Sequence, residues 1–398
     1  MDTQTKLQLI AQCKQRNIIG YSGKNKDELR TLLSVQENTI VLHPQEQAKP
    51  VVNRLNYIGS KYKLLDWIET NILEKTKWPS FHQKRIADLF AGTGIVSYHF
   101  RLKGAIVSSN DAELYSAFIA HAFTRSVYSE KCQTFIQSIQ TELTENKHID
   151  YVGFITEKYS PYNGNDRKFF TVDNAKRIDY IRNSIESKKE DLLEDEYKFL
   201  VASLLLSADH VSNVPAVYGC FLKNFKAKAL QPLILKPIHT NILSAGTSST
   251  TNSNVLDNEY LQSVQCDLAY LDPPYNGRQY SKNYFPLNMI AYTPEQQSSE
   301  PPLKGLTGIP ENCFMSPFCK KGEIVEQAFE TLFRNLNAKW IFLSYSNEST
   351  LPKEKILELM KKYGEASVIE CEYKRFKSYE YNKDNTTKEY LFCLEKRA

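Results

Sequence analysis

A chain of 398 residues, 41% hydrophobic and 24% charged, with 15 Gly and 16 Pro, has the composition of a globular protein with room for a large core domain and one or two smaller ones. Its formal charge of +4, from 50 Lys+Arg against 46 Asp+Glu, is too mild to demand a nucleic-acid partner, although local basic clusters can supply a footprint. No apolar run approaches the roughly 18 residues of a membrane span, the first ten residues lack the layout of a signal peptide, and eight cysteines without a C-x-x-C pair argue for reduced thiols rather than a metal site, so a cytoplasmic protein with no membrane attachment and no metal is expected.

Taken in chain order, residues 5–34 predict two short helices around a tight turn. Leu7, Leu9, Ile10 and Cys13 form the buried stripe of the first, Gly20 and Gly23 break the chain, and Leu29, Leu32 and Leu33 face the core from the second. The stretch IIGYSGKNKDELRTLL resembles a SAP-like module, in which Lys24 and Lys26 would head the second helix and meet DNA phosphate. A helical hairpin that packs on the main domain or contacts protein is the other reading. Residues 35–51 are polar, carry two prolines and read as a linker.

Residues 52–123 predict an amphipathic helix on Leu64, Leu65, Ile68 and Ile72. A strand (Ile86–Phe90), a Gly-rich turn, a helix over about 94–103, a strand (Ala105–Ser109) and a further helix follow, which is the start of a βαβ unit. Residues 124–250 break that rhythm with helical stretches, an aromatic segment (YVGFITEKYSPYNGNDRKFFTVDN), a basic one (FLKNFKAKAL) and a polar loop (SAGTSSTTNSN). From 251 to 398 the α/β pattern returns: DLAYL, KWIFLSYS and EYLFCLEK read as strands and LPKEKILELMKKYG as a helix. Residues 52–123 and 251–398 therefore form one α/β domain with 124–250 inserted as a second lobe.

The strongest chemical signal is Asp272-Pro273-Pro274-Tyr275 after the buried strand DLAYL, because a turn at the carboxyl end of such a strand faces the ligand crevice. Two prolines stiffen it and leave carbonyls without competing amide donors. The Asp272 carboxylate and the Pro273 carbonyl could each accept one N–H of an exocyclic adenine amine. That holds the nitrogen's lone pair toward an electrophilic methyl, by positioning and electrostatics alone. Tyr275 offers a π-face on which a base can stack. Upstream, Asp88-Leu89-Phe90-Ala91-Gly92-Thr93-Gly94 is a strand-to-helix turn whose glycines allow close ligand approach. It is neither G-x-G-x-x-G nor a P-loop; the acidic residue at the strand end suits a cationic ligand, and Asp111, at the end of the next strand, is placed to accept from ribose hydroxyls.

With Tyr57-Ile58-Gly59-Ser60-Lys61 added, these motifs in this order resemble the N6-adenine DNA methyltransferases of the Dam and FokI/NlaIII modification-enzyme type. The resemblance covers about residues 52–398. It implies an α/β Rossmann-like methyltransferase sheet with helices on both faces, interrupted by a mainly helical target-recognition insertion at 124–250. It implies S-adenosyl-L-methionine as cofactor, held by Tyr57, Gly59, Lys61, Asp88, Phe90, Ala91, Gly92, Thr93, Gly94 and Asp111. Asp272 to Tyr275 would act on a flipped adenine of double-stranded DNA, and a cognate restriction endonuclease would be the functional partner. Asp257 in NVLDNEYL is the candidate for the family's acidic residue at the cofactor's adenine. The run Asn276 to Tyr280 resembles the N-x-R-Q-Y of the FokI-like branch and would form a loop beside the base, with Arg278 on a phosphate or in solvent.

In FLKNFKAKAL, Lys223, Lys226 and Lys228 interleave with Phe221 and Phe225; a DNA-facing surface and an amphipathic packing helix fit equally. His99, His121 and His210 read as core or surface groups. Methylation of RNA adenine, methylation of cytosine N4, and a non-catalytic DNA-binding protein that keeps the fold stand as the alternatives. D-P-P-Y and the intact Asp88 and Asp272 favour adenine methylation in DNA.

Overall fold

The computed structural model describes residues 5–6, 8–10, 25–29, 55–242, 246–299, 302–374 and 386–397. The chain divides into two compact units, Met1–Pro50 and Val51–Ala398. In the first, two reciprocal capping boxes start helical turns. Thr5 N–H donates to Gln8 Oε1 (2.7 Å) while Gln8 N–H donates to Thr5 Oγ1 (3.3 Å). Asn25 N–H donates to Glu28 Oε2 (2.8 Å) and Glu28 N–H to Asn25 Oδ1 (3.0 Å). Leu9 and Leu29, both expected on apolar stripes, are buried, and Lys26 is exposed in the turn that Asn25 caps. Lys24 and the expected linker lie outside the described residues.

The second unit runs α1 (Leu65–Thr76), β1 (Arg85–Asp88), α2 (Ile95–Leu102), β2 (Ile106–Asn110) and α3 (Leu114–Thr124). Four helices then depart from the βα alternation: α4 (Glu130–Thr144), α5 (Phe154–Tyr159), α6 (Val172–Ser187) and α7 (Glu194–His210). The chain rejoins the sheet through β3 (Ser249–Thr251), α8 (Asn258–Ser263), β4 (Leu268–Leu271), α9 (Tyr280–Ala291), α10 (Pro294–Ser298) and the hairpin strands β5 (Leu303–Lys304) and β6 (Ile309–Pro310). It ends with α11 (Glu323–Asn335), β7 (Trp340–Ser346), α12 (Lys353–Lys361), β8 (Gly364–Lys374) and β9 (Thr386–Lys396).

Seven strands form one mixed sheet in the order β3-β2-β1-β4-β7-β9-β8. The first five are mutually parallel, and β9 enters antiparallel between β7 and β8. Period-two alternation distributes the apolar strands to two cores. Ile86, Leu268, Tyr270 and Phe342 face α1, α2, α3 and the helical insertion, whereas Ala87, Ala269, Leu271, Ile341 and Leu343 face α11 and α12. This is the α/β sheet that the alternation implied, with the helices on both faces that the resemblance implied.

Three local outcomes differ from the sequence reading. The polar tract before Thr251 yields edge strand β3, because an edge strand in this position can be held by hydroxyls: Ser249 Oγ donates to Ser108 Oγ (3.1 Å) and Thr251 Oγ1 to Asn110 Oδ1 (2.8 Å). The long strand β8 is additional to the predicted elements. FLKNFKAKAL contains only a single 3-10 turn, Ala227–Leu230, rather than an amphipathic helix.

The insertion is anchored so that α7 runs antiparallel to α3. Asp195, at the start of α7, accepts from Arg125 Nε (2.8 Å) and pairs with His121 Nε2 (2.8 Å) at the end of α3. Since α3 begins at the carboxyl edge of the sheet, Asp209 and His210 at the end of α7 return to that edge. No helix among the described residues is long and apolar enough to cross a membrane.

Candidate active site

At the carboxyl edge of the parallel strands lies a half-open cavity lined by the turns after β1 and β4 and by residues 57–61. Its floor is the turn after β1. Gly92 N–H donates to Asp111 Oδ2 (2.7 Å) and Ala91 N–H to the Asn110 carbonyl (2.9 Å), so the first turn is tied to the end of β2. Gly92 has φ +53, and a Cβ there would stand 3.0 Å from the Tyr57 ring. Gly94 has φ +72, and a Cβ there would lie 2.7 Å from Ala120 Cα, so only glycine lets α2 start against α3. Gly94 itself caps α2 and does not reach the cavity lining.

Two carboxylates face this end of the cavity. Asp111 accepts from Gly92 N–H through Oδ2 and from Glu113 N–H (2.9 Å) through Oδ1, and each oxygen keeps a second lone pair for a hydroxyl donor. Burial pushes Asp111 up to about 6 against those amides. Glu113, at the N-cap position of α3, also lines the cavity; burial and the charge of Asp111 push it up to about 8, while Asn288 Nδ2 donates to its Oε2 (2.5 Å). Phe90, edge-on to Phe318 (5.1 Å), and Val255 supply apolar surface to the same cavity.

Asp88 lies just beneath this floor rather than in it. It is 1% exposed; Oδ2 accepts from Ser97 Oγ (2.6 Å), which in turn accepts from Ser109 Oγ (2.9 Å), and Oδ1 is buried with no partner. Burial pushes it up to about 7, with Ser97 opposing and the charges of Asp272 and Asp111 adding. Asp257 is not brought to the cavity. Its side chain accepts from the amides of Glu259 (2.9 Å) and Tyr260 (3.1 Å), because a helix, α8, starts at Asn258 and needs an N-cap.

The turn after β4 closes the other end. Asp272, Pro273, Pro274 and Tyr275 all line the cavity, and Tyr275 packs edge-on against Tyr345 (6.3 Å) while its carbonyl accepts from Thr350 N–H (2.8 Å). Lys61, 3% exposed, places Nζ 2.8 Å from Asp272 Oδ1 and 3.1 Å from the Gly59 carbonyl, with its ammonium 5.6 Å from the Tyr275 ring centroid. Burial works against this ammonium, but the charges of Asp272 and Glu389 outweigh it and raise its pKa. Burial raises the Asp272 carboxyl against the pull of Lys61. One Asp272 oxygen is thus held by a buried cation and the other is left for a donor.

What seats Lys61 is a pair of tyrosines one helical turn apart on α9. Tyr280 OH donates to the Ile58 carbonyl (2.9 Å), Ile58 N–H donates to Tyr284 OH (2.9 Å), and Tyr284 OH donates to the Asn56 carbonyl (3.3 Å). Tyr57 stacks on Tyr284 at 4.8 Å. Tyr284 leaves helical geometry (φ −133), with Pro286 just beyond it, so the helix bends where it grips residues 56–58. Tyr280, expected in a loop, therefore opens this helix. Asn110, Glu113, Tyr284 and Phe318 were not singled out by the sequence. Only Glu113, two residues after Asp111 and just before a helix, carried a local signal.

Of the expected DNA-facing residues beyond the first unit, Arg278 is exposed in the loop before α9 and outside the cavity lining, and Lys223 is exposed. Lys226 is half-buried and donates from Nζ to the Val214 carbonyl (2.7 Å). Lys228, Lys236 and His210 are exposed beside it. With Asn56, Gln231 and the buried Asp209 they line a second cavity, and the two lysines hold the His210 imidazole below its usual pKa in the direction burial already sets. Asn56 lines this groove while Tyr57 lines the active-site cavity, so one residue of backbone separates them.

Residues 57–358 match the family of D12 class N6 adenine-specific DNA methyltransferases. Type II methyltransferase M.CviAII of Paramecium bursaria Chlorella virus 1 is 40% identical over 343 residues, which covers 86% of this chain and 99% of that protein. Type II methyltransferase M.NlaIII of Neisseria lactamica is 37% identical over 352 residues, with 86% and 99% covered. Type II methyltransferase M.FokI of Planomicrobium okeanokoites is 33% identical over 358 residues; 86% of this chain matches 53% of that longer protein.

Proposed function

This chain belongs to the D12 class of N6 adenine-specific DNA methyltransferases, and from that premise we propose that it transfers a methyl group from S-adenosyl-L-methionine to N6 of an adenine rotated out of duplex DNA. The observation that carries the reading is the shared cavity: the acid-lined glycine turn and the Asp272–Tyr275 turn open into one space, with Lys61 bonded to Asp272. When bound, the cofactor supplies an electrophilic methyl. The residues fit it on the ligand-free geometry: Asp111 and Glu113 offer acceptors for hydroxyls, Phe90 and Phe318 an apolar wall, and Asp88 Oδ1 an unpaired acceptor under a turn where no described cation competes.

At the other end, Asp272 Oδ2 and the Pro273 carbonyl accept the two adenine N–H groups, and Tyr275 stacks on the base. The target leaves the helix because this geometry cannot be reached inside a stacked duplex. The phosphate backbone follows the groove of Lys228, Lys236 and His210, which ends at the same sheet edge, rather than relying on Lys226, whose amine is already committed. Lys223 and Arg278 are further exposed cations for phosphate, and Lys24 and Lys26 of the first unit are proposed phosphate contacts in their own right. Names of modification enzymes among the relatives support a cytoplasmic role as the modification half of a restriction–modification system, with an endonuclease as functional partner.

The test is transfer of labelled methyl from S-adenosyl-L-methionine to unmethylated bacterial DNA, followed by nucleoside analysis. N6-methyladenine is the expected product. N4-methylcytosine as the only labelled nucleoside, or no labelled DNA, overturns the reading.

A further inference from the structure

The hairpin β5–β6 carries the most exposed large hydrophobic side chain among the described residues, Leu306, at 87%. Its turn is fixed in place. Gly305 (φ +69) and Gly308 (φ +71) bracket it, Gly308 N–H donates to the Gly305 carbonyl (3.3 Å), and Leu303 pairs with Pro310 in the strands below. The guanidinium of Arg167 lies against this turn. Its Nε donates to the Leu306 carbonyl (3.1 Å), Nη2 to the Gly305 carbonyl (3.4 Å) and Nη1 to the Lys158 carbonyl (3.2 Å). Tyr159 OH donates to the Gly308 carbonyl (3.0 Å). A Cβ on Gly308 would stand 2.7 Å from Arg167 Cζ, so glycine is what lets the cation come this close. A single exposed leucine is ordinary on a surface. This one is mounted on a turn whose backbone the helical insertion holds from beneath, which makes it a rigid apolar point. Lys304 beside it is paired with Glu311 (2.6 Å) and Arg167 is committed to carbonyls, so the tip presents apolar surface rather than charge.

The hairpin is tied to the wall of the active-site cavity. Phe314, which lines that cavity, follows the end of β6 by no more than about 14 Å of chain. Its carbonyl accepts from Ser281 Oγ in the first turn of α9. One turn further along α9, Phe285 packs against Tyr159 (5.6 Å), the residue that holds Gly308. Other segments reach the same part of α9. Tyr218 N–H donates to the Asn283 carbonyl (2.8 Å), and Lys168 Nζ donates to the Lys223 carbonyl (3.1 Å). Residues 158–168, 218–223 and the hairpin therefore gather around the start of α9, and Lys223 and Lys282 are exposed on them.

We propose that this hairpin reads duplex DNA beside the flipped adenine, with Leu306 packed on the C5-methyl of a thymine in the major groove. The idea rests on the function proposed above. That methyl is the apolar group base edges display there. A duplex seated over the cavity runs past its rim, with phosphates toward exposed cations such as Lys223 and Lys282. The reading surface is then composite: Arg167 and Tyr159 of the insertion are positioning residues for a side chain that follows the catalytic turn in the sequence.

The test compares kcat/KM for the full-length wild type, Leu306→Ala and Arg167→Lys on a duplex carrying the site found by mapping methylated adenines. In companion duplexes each thymine of that site and of the pairs next to it is replaced in turn by uracil, which lacks only the methyl. At least one such thymine exists, opposite the target adenine. In the wild type, uracil at one position should lower kcat/KM about fourfold, the effect of losing one buried methyl group. Leu306→Ala should lose at least about fourfold on the thymine duplex and nothing further with uracil at that position, which is how a direct contact behaves in a double-mutant cycle. Arg167→Lys keeps the charge but cannot hold both turn carbonyls, and should show the same indifference to uracil. Cofactor affinity and thermal midpoint should stay at wild-type values in Leu306→Ala, because the side chain removed is exposed. Wild-type kcat/KM in Leu306→Ala, or equal uracil costs in the two proteins at every position, means that the leucine faces something other than a thymine and overturns the proposal. A wild-type uracil cost in Arg167→Lys overturns the role given to Arg167. Should Arg167→Lys fail to fold, Leu306→Ala decides alone. Absence of adenine methylation by the wild type would instead sink the function on which the idea rests.

Discussion

Both ends of the active-site cavity are built on buried carboxylates, yet they are balanced in different ways. At the β1–β2 end, Asp88, Asp111 and Glu113 take amides and hydroxyls as partners, with Asp88 Oδ1 left unpaired, and no described Lys or Arg pairs with them. At the β4 end, Asp272 has the Lys61 ammonium 2.8 Å away. The first arrangement has no cation to hold its carboxylates ionised, so burial raises their proton affinities, and a cationic ligand with hydroxyls would favour their charged forms. The second is locally neutral and presents one free carboxylate oxygen, which suits a neutral amine that must be oriented rather than captured. Charge balance separates a binding end from a reacting end within one cavity.

The sharpest way to break that division is Asp272→Ala. Turnover should fall by at least about 10³-fold, the size of a lost transition-state contact of about 4 kcal/mol, while affinity for the cofactor measured by calorimetry stays within about tenfold. Near-normal turnover would remove Asp272 from the reacting end. Next in size, Asp111→Ala and Asp88→Ala should each weaken cofactor binding by about 1–3 kcal/mol, since each removes an acceptor from a buried donor. Unchanged affinity in both would mean that the binding end has been misplaced.

A pH experiment sharpens the comparison further. Glu113 and Asp88 titrate near 8 and near 7 in the folded protein, above their unfolded values. Groups raised in this way favour the folded state below the unfolded pKa, and that advantage is lost as pH rises through the folded one. The ligand-free protein should therefore lose stability between about pH 4.5 and 8. Glu113→Gln should flatten that decline by about 1–3 kcal/mol in denaturant melts at pH 8 relative to pH 5; parallel curves would show that burial of this carboxyl carries no penalty. The smallest effect is a control on both ends. Lys228→Ala with Lys236→Ala should leave turnover at saturating DNA unaltered and flatten the slope of log K against log[salt] by about 0.9 per lost phosphate contact. An unchanged slope would take the groove off the DNA path.

Some of this was written in contiguous residues. The strand-end D-P-P-Y, the F-x-G-x-G turn with Asp111 beyond it, and Tyr57 to Lys61 are legible because their conformation is local: prolines stiffen one turn, glycines permit the other, and apolar strands flank both. The alternating apolar runs of 52–123 and 251–398 foretold the α/β sheet and its helical interruption for the same reason. Charge pairing was not local. That Lys61 pairs with Asp272, 211 positions away, is visible only once packing brings them together, and Asp257 reads as a ligand until α8 takes it as a cap.

Edge strand β3 hid in a polar tract because its hydroxyl bonds leave no hydrophobic period, and Glu389 hid in an ordinary strand because nothing in K-E-Y-L marks its side chain as enclosed. The sequence by itself determined which turns could form and which strands would be buried, since backbone sterics and side-chain period act over a few residues. Which charges face one another, which amine is already committed and which carboxylate is left unpaired were decided only by the tertiary structure. Desolvation and Coulomb energy depend on what arrives from distant parts of the chain.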